Sequence, residues 1–467
     1  MIHKYTLFGY NIVLDAESGA VHVISDISER ILSFIAGMVK KGGPKSLPDE
    51  CPVDLRYSLA QYESSEVFCA YSELLELCKN NLLFSECEDG LEPARQDGAT
   101  PVKALCLNVS HACNLVCGYC FAQKGDFGLE KKFMDEKTGM NAVEFLMKNS
   151  QNRKNLEIDF FGGEPLLNFE TIRNIVINTR RLEKEYGKNV RFTLTTNGIL
   201  LDSEKIDFIN ENISNIVLSL DGLKKTNDEM RKHTDGGGSY DEIVPLYQKL
   251  TAERTGKYKD YYIRGTFTRK NLNFSDDAIH MRELGFSNIS IEPVAANEAD
   301  ENIDYAIKKE DLPLIFKEYE KLAKEIIKRE KKCENTFNFF HFNIDLENGP
   351  CIYKRIKGCG SGSEYIAVTP DGDIYPCHQF VGNEKYKLGN VNIPGAKLDC
   401  RLTKKFYGNN IFTNEKCKSC WVKYFCGGGC PANNVKFNGD IYEPCEIACE
   451  MEKKRVECAI AIKAALS

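Results

Sequence analysis

Cys113, Cys117 and Cys120 stand in the stretch Ser110-His111-Ala112-Cys113-Asn114-Leu115-Val116-Cys117-Gly118-Tyr119-Cys120-Phe121, a Cys-x3-Cys-x2-Cys spacing. Three thiolates so spaced can take three corners of a [4Fe–4S] cube, and the loop supplies no fourth ligand, so one iron is left open. A structural zinc site wants four closed ligands, which an isolated triad does not give. A second thiol-dense region holds Cys359 and Cys377, then Cys417-x2-Cys420-x5-Cys426-x3-Cys430, then Cys449. Cysteines paired in this way suit clusters or a zinc ribbon. Gly162-Gly163-Glu164-Pro165 is a further chemical element: glycines let a ligand approach the backbone, and an exposed carbonyl and carboxylate accept bonds from an ammonium group. Cys51, Cys69, Cys78, Cys87, Cys106, Cys333 and Cys400 lack ligand spacing and read as small hydrophobes, and the role of Cys458 on the terminal helix stays open.

These residues need a frame. From Pro101 to about Lys332 strand and helix alternate six times, with strands at Leu105–Val109, Leu156–Phe161, Arg191–Thr195, Ile213–Leu220, Tyr261–Phe267 and Ile289–Val294. Amphipathic stretches such as Phe169–Tyr186, Ser275–Leu284 and Leu312–Lys331 supply the helices. The pattern predicts an α/β fold: a parallel sheet with helical crossovers, closing six units into an incomplete (β/α) barrel. Such barrels work at the carboxyl ends of their strands, where the unusual residues fall. The cysteine loop follows the first strand, Gly162-Gly163-Glu164 the second, Thr195-Thr196-Asn197-Gly198 the third and Ser219-Leu220-Asp221-Gly222 the fourth, while the fifth contains Arg264-Gly265-Thr266.

Before this domain the chain reads strand, turn, strand, helix. Tyr5 to Leu14 and Ala20 to Ile24 flank an Asp15–Gly19 turn, Asp26-Ile27-Ser28-Glu29 opens a capped helix, and helical patterns follow near Pro52–Tyr62 and Ser65–Asn81. Residues 88–100 form a polar linker. After the barrel, Tyr365–Thr369 and Ile374-Tyr375 flank Pro370-Asp371-Gly372-Asp373 as a hairpin, and Glu446–Ala465 is a terminal helix. The domains are therefore 1–87, 88–100 as linker, 101–335 and 336–467. Net charge −7 offers no general attraction for nucleic acid, and no apolar run of membrane length or cleavable leader is present. A cytoplasmic chain with no membrane partner is expected, and its twenty cysteines point to metal rather than disulfides.

The cysteine loop, with Tyr119 just before its last cysteine, resembles the signature of radical S-adenosylmethionine (SAM) enzymes. The C-terminal order Cys-x12-Gly-x4-Cys, then Cys-x2-Cys-x5-Cys-x3-Cys, then a last cysteine is similar to the SPASM domain. The resemblance implies a partial (β/α)6 TIM barrel of radical SAM type, three [4Fe–4S] clusters and SAM. It implies that Gly162, Gly163 and Glu164 receive the methionine amino group, that Ser219 and Arg231 meet the SAM carboxylate and ribose, and that Asn197 lines the same pocket. Cys113, Cys117 and Cys120 would hold the first cluster. Cys417, Cys420, Cys426 and Cys449 would close a distal auxiliary cluster, and Cys359, Cys377 and Cys430 would hold a proximal one. Either Cys351 is the eighth auxiliary ligand or that cluster keeps an open iron; Cys445 competes with Cys449. His111, His378 and Tyr375 read as packing or hydrogen-bonding neighbours of ligands.

Finer likenesses narrow the group. Ile2-His3-Lys4-Tyr5, Gly9-Tyr10-Asn11-Ile12-Val13-Leu14-Asp15, Gly358-Cys359-Gly360-Ser361-Gly362, Tyr375-Pro376-Cys377-His378-Gln379-Phe380-Val381-Gly382 and Lys454-Arg455-Val456-Glu457-Cys458 are similar to maturases of SCIFF peptides, short cysteine-rich ribosomal precursors. That implies formation of a thioether between a cysteine sulfur and a carbon, with the precursor's leader held by an N-terminal winged-helix-like recognition element, and a low-potential electron donor such as ferredoxin or flavodoxin. Anaerobic sulfatase maturation to formylglycine, carbon–carbon peptide crosslinking and, from another class, a zinc-binding peptide carrier are the alternatives.

Overall fold

The computed structural model describes residues 1–40, 46–86, 100–256, 258–296, 303–346 and 356–467. Cys87, Cys351 and nearly all of the predicted linker lie outside the described residues.

The chain opens with a three-stranded antiparallel sheet, β1 (Ile2–Leu7), β2 (Tyr10–Asp15) and β3 (Val21–Ile24), in the order β1-β2-β3. The single strand expected over Tyr5–Leu14 is corrected to two: Phe8 and Gly9 take φ of 52° and 85° and turn the chain back. Helices α1 (Asp26–Lys40), α2 (Val53–Ser58) and α3 (Ser64–Lys79) follow. The side chain capping α1 is Ser25, whose Oγ accepts from Ser28 N at 3.1 Å, not Asp26. Val13, Ile31, Leu32, Ile35, Leu55 and Leu74 form a core between sheet and helices. Leu7, Ile12 and Leu14 face the other way and join the main core.

The central sheet has ten strands. β4 (Ala104–Ser110), β5 (Asn155–Gly162), β6 (Asn189–Thr196), β7 (Asn215–Ser219), β8 (Asp260–Phe267) and β9 (Asn288–Pro293) run parallel in sequence order. Their crossovers are α4 (Glu136–Asn149), α5 (Phe169–Tyr186), α6 (Ser203–Asn212), α7 (Lys224–Met230), α8 (Tyr240–Glu253) and α9 (Phe274–Glu283), and α10 (Leu312–Lys332) follows the last strand. This is the expected six-unit partial barrel. Alternation decides its two faces: Leu156, Ile158 and Phe160 of β5 lie in one core with Ile172 and Ile175 of α5, each such burial contributing about 1.5–3 kcal/mol. The opposite parity, Glu157, Asp159 and Phe161, lines the hollow side. Near the amino ends of the strands that hollow is a polar cavity of about 360 Å³ bordered by Glu157, Arg191, Asn215 and Asp260.

Past the barrel, β10 (Asn338–Phe339) pairs with β9, and the hairpin β11 (Tyr365–Val368), β12 (Asp373–Tyr375) joins the opposite edge, where β11 runs parallel to β4 and β13 (Gly389–Asn390) completes the order. One sheet thus runs from the barrel into the C-terminal cysteine region. The last element is the terminal helix Glu446–Leu466, inside which Val456, Cys458, Ala459 and Ile460 are buried. Among the cysteines read as small hydrophobes, Cys106 is buried, but Cys69, Cys333 and Cys400 are exposed, which corrects that reading for those three.

Candidate active site and iron–sulfur ligands

The cysteine loop is fastened on two sides. Gly163 N donates to Ser110 O and Glu164 N to Ala112 O, both at 2.8 Å. A Cβ on Gly162 would lie 2.3 Å from Ser110 O, and one on Gly163 2.2 Å from Ala112 O, so two backbones meet where no side chain fits. On the far side Val116 N donates to Lys232 O at 2.8 Å and Gly118 N to Met230 O at 2.9 Å. The loop is therefore clamped between the ends of β5 and α7.

Cys117 interacts electrostatically with Cys113 and Cys120, and Cys113 with Cys120. Burial pushes the Cys113 thiol up to about 11 and that of Cys117 up to about 12. A thiol so enclosed would ionise if iron, held by Cys113, Cys117 and Cys120, replaced the lost solvation. Leu115 N and Asn197 Nδ2 approach Cys113 Sγ at 3.5 and 3.7 Å, the kind of contact that tunes a cluster's potential. Asn197 Nδ2 also donates to Asn114 Oδ1 at 2.8 Å, placing Asn197 against the loop.

Glu164 corrects the expectation of an exposed carboxylate. It is 1% exposed and accepts from Thr196 Oγ1 (2.8 Å), Asn197 N (2.8 Å) and Leu166 N (3.0 Å). Burial pushes its carboxyl up to about 7 against the pull of these donors. Its side chain ties the end of β5 to the end of β6. Ser219 closes β7, where its carbonyl accepts from Tyr247 OH at 3.1 Å. Arg231 is committed from within: its Nε lies 3.1 Å from Asp221 Oδ2, and Asp221 also accepts from Tyr119 OH at 2.7 Å and Thr266 N at 2.9 Å. Asp221 and Tyr119 belong to the site although their sequence setting reads as an ordinary strand exit and a ligand's neighbour.

The C-terminal thiols fall into two sets. Cys449 interacts with Cys417 and Cys420, and Cys426 with Cys449; Cys377 interacts with Cys430 and Cys359. Cys445, buried, adjoins both Cys449 and Cys430. Among the described residues no three His, Cys, Asp or Glu side chains are gathered tightly enough to hold one metal ion. By donor chemistry, sets of three or four neighbouring thiols suit iron–sulfur cubes. His378 packs against Phe161 and Phe121 with ring centroids 4.7 and 5.5 Å away, His111 is buried beside Phe127, and Tyr375 OH donates to Glu384 Oε1 at 3.1 Å. All three are packing or hydrogen-bonding neighbours here.

Residues 107–259 match the family model of the radical SAM superfamily, and residues 359–421 that of the iron–sulfur cluster-binding domain SPASM. The chain is 26% identical over 342 residues, 69% of its length and 86% of the other's, to a cysteine-type anaerobic sulfatase-maturating enzyme of Clostridium novyi. The solved structure of anSMEcpe with bound AdoMet and Kp18Cys peptide superposes with a TM-score of 0.63 at 20% identity, covering 78% of this chain and 99% of that one. Streptococcus suis SuiB bound to its precursor peptide SuiA gives a TM-score of 0.52 at 20% identity over 96% of this chain and 98% of that one. The fold is thus the radical SAM α/β fold with a C-terminal SPASM domain. With these domains come [4Fe–4S] clusters and SAM. No helix of the described residues is long and apolar enough to cross a membrane.

Proposed function

We propose that this protein is a peptide-modifying radical SAM enzyme that installs thioether cross-links, from cysteine sulfur to carbon, in a ribosomally made, cysteine-rich precursor of SCIFF type. The observation that carries the reading is the grouping of the thiols among the described residues: three cysteines on the barrel loop, Cys417, Cys420, Cys426 and Cys449 in the distal set, and Cys359, Cys377 and Cys430 in the proximal set, with Cys445 adjoining both. Three ligands at the barrel leave a place for SAM; in the proximal set Cys351, outside the described residues, either supplies a fourth thiolate or leaves an open iron for a substrate thiol.

When bound, the first cluster and SAM supply one electron and a 5′-deoxyadenosyl radical. The chain's own residues then have defined work. Gly162 and Gly163 let the cofactor's amino group reach main-chain carbonyls, with Ser219 and Asn197 beside it. The acceptor carbon loses a hydrogen atom to the radical, the cysteine thiol loses a proton, the carbon–sulfur bond forms, and one electron is left for the auxiliary centres. The free edge of the N-terminal sheet offers the precursor's leader a strand to pair with, and a ferredoxin or flavodoxin supplies the reducing electron.

Mass spectrometry of a synthetic cysteine-rich precursor of SCIFF type, after anaerobic turnover, tests the reading. A thioether removes two hydrogens and leaves an alkylation-resistant cysteine. Formylglycine, the second reading, favoured by the sulfatase-maturating relative, removes the cysteine sulfur altogether. Cys117→Ala is expected to abolish reductive SAM cleavage and lower bound iron by one cube. Zinc with little iron in anaerobically purified protein would refute the enzyme reading.

A further inference from the structure

Beyond the cysteine loop, the carboxyl end of the barrel wall carries a charged group that the chemistry above does not use. Arg264 of β8 lies in register with Ser219 of β7 on one side and Ser290 of β9 on the other. Neighbours in register on parallel strands share a face. Arg264 therefore stands beside the strand end proposed to meet SAM, on the hollow side and farther round the wall from the cysteines. Two register positions on, and so on the same face, Thr266 of β8 pairs with Glu292 of β9.

Glu292 is the hub behind it. Its Oε1 is 3.4 Å from Arg264 Nη2, 3.2 Å from His341 Nε2, and accepts from Ser290 Oγ at 3.1 Å. Burial works against its charge, but His341, Arg264 and Arg455 together hold its carboxyl well below the usual range. Arg455 is itself fixed, with Nε donating to Tyr319 OH at 2.8 Å. The carboxylate thus stays ionised and grips one edge of the Arg264 guanidinium. The rest of that side chain remains 54% exposed. An arginine presents five N–H donors in a planar fork, and among the described residues its one ion pair, at 3.4 Å, leaves most of them to other acceptors. An incoming carboxylate would be repelled by Glu292 at the same guanidinium, while neutral carbonyl oxygens would not.

We propose that Arg264 anchors main-chain carbonyls of the peptide segment presented to the radical, with Glu292, Ser290 and His341 as the residues that position it. This rests on the proposed function and adds where the substrate core is gripped, a site separate from the leader's. Arg264 lies one strand beyond Ser219, and the proposal makes it a specificity residue rather than a cofactor ligand.

The test compares wild type, Arg264→Met, Arg264→Lys and Glu292→Gln holoenzymes on a synthetic cysteine-rich precursor of SCIFF type. It measures KM for the precursor, deoxyadenosine formed per cross-link, and SAM cleavage without peptide. Arg264→Met is expected to raise KM at least tenfold and to uncouple deoxyadenosine from product, with peptide-free SAM cleavage within twofold of wild type. Lysine, a single point charge, restores only part, and Glu292→Gln shifts KM in the same direction by less. Unchanged KM and coupling in Arg264→Met would overturn the inference alone. Parallel loss of peptide-free SAM cleavage would also overturn it, by assigning Arg264 to the cofactor pocket. A wild type inert on the precursor would bring down the proposed function and this inference with it.

Discussion

Asp221 gathers more of the site than any cysteine does. It is 1% exposed and holds Arg231, Tyr119 and the backbone of Thr266 at once. Burial alone would strip the Arg231 charge, and Asp221 restores it. Asp221→Asn leaves a guanidinium enclosed without its counter-charge, so anaerobic urea unfolding should show a loss of about 3 kcal/mol and SAM affinity should fall with it. Asp159, on the hollow face of β5, is a second sensitive position. Burial, with Glu157 nearby, pushes its carboxyl up to about 7. The folded state then keeps a proton that the unfolded chain has lost above about pH 4, so this residue costs stability progressively as pH rises through that window. Asp159→Asn should therefore raise Tm more at about pH 8 than at about pH 5, by a difference worth about 2 kcal/mol; an equal gain at both would show that the aspartate does not titrate there. The candidate ligand cysteines are legible because metal spacing is a local property of sequence. Tyr119 and Asp221 are 102 positions apart, and only the fold makes them neighbours.

At the scale of elements, the meeting of β4 and β5 governs whether the loop can hold a cluster. Gly162 has φ of 146° and no room for a Cβ, so Gly162→Ala must part the two strand ends. Bound iron should drop by one cube while the auxiliary signals in electron paramagnetic resonance persist. The six barrel strands announce themselves as apolar runs bounded by turns, since a parallel sheet covered by helices buries them. Phe8, itself apolar, continues such a run across the point where the chain reverses, so hydrophobicity alone conceals the break between β1 and β2. The Arg264, Glu292 and His341 group is hidden for another reason: its members come from two strands and a later short turn, and each taken singly is an ordinary polar residue.

On the scale of the molecule, the N-terminal unit is anchored on the segment between Cys420 and Cys426. Glu17, 9% exposed, pairs with Lys423, 6% exposed, at 2.7 Å and accepts from Tyr424 OH at 2.8 Å. The His3 ring stacks on Trp421 with centroids 3.7 Å apart and contacts Glu457 at 3.0 Å. A buried pair broken on one side is costly, whereas replacing both members with apolar residues is often neutral. Glu17→Gln should destabilise the protein by about 3 kcal/mol, and Glu17→Leu with Lys423→Met should recover most of it. Equal losses in single and double variants would mean that the joint acts through packing rather than charge.

The pairing of Tyr365–Val368 with Ala104–Leu107 has a consequence for recombination. The strand that leads into the first cysteine loop takes its outer hydrogen bonds from the C-terminal region, so the two are not interchangeable cassettes. A chimera that imports a relative's C-terminal third while keeping this barrel must also import its match to β4. Otherwise the graft exposes an unpaired strand edge on the strand that leads into the cysteine loop, and the insoluble members of shuffled libraries should be those broken at that seam.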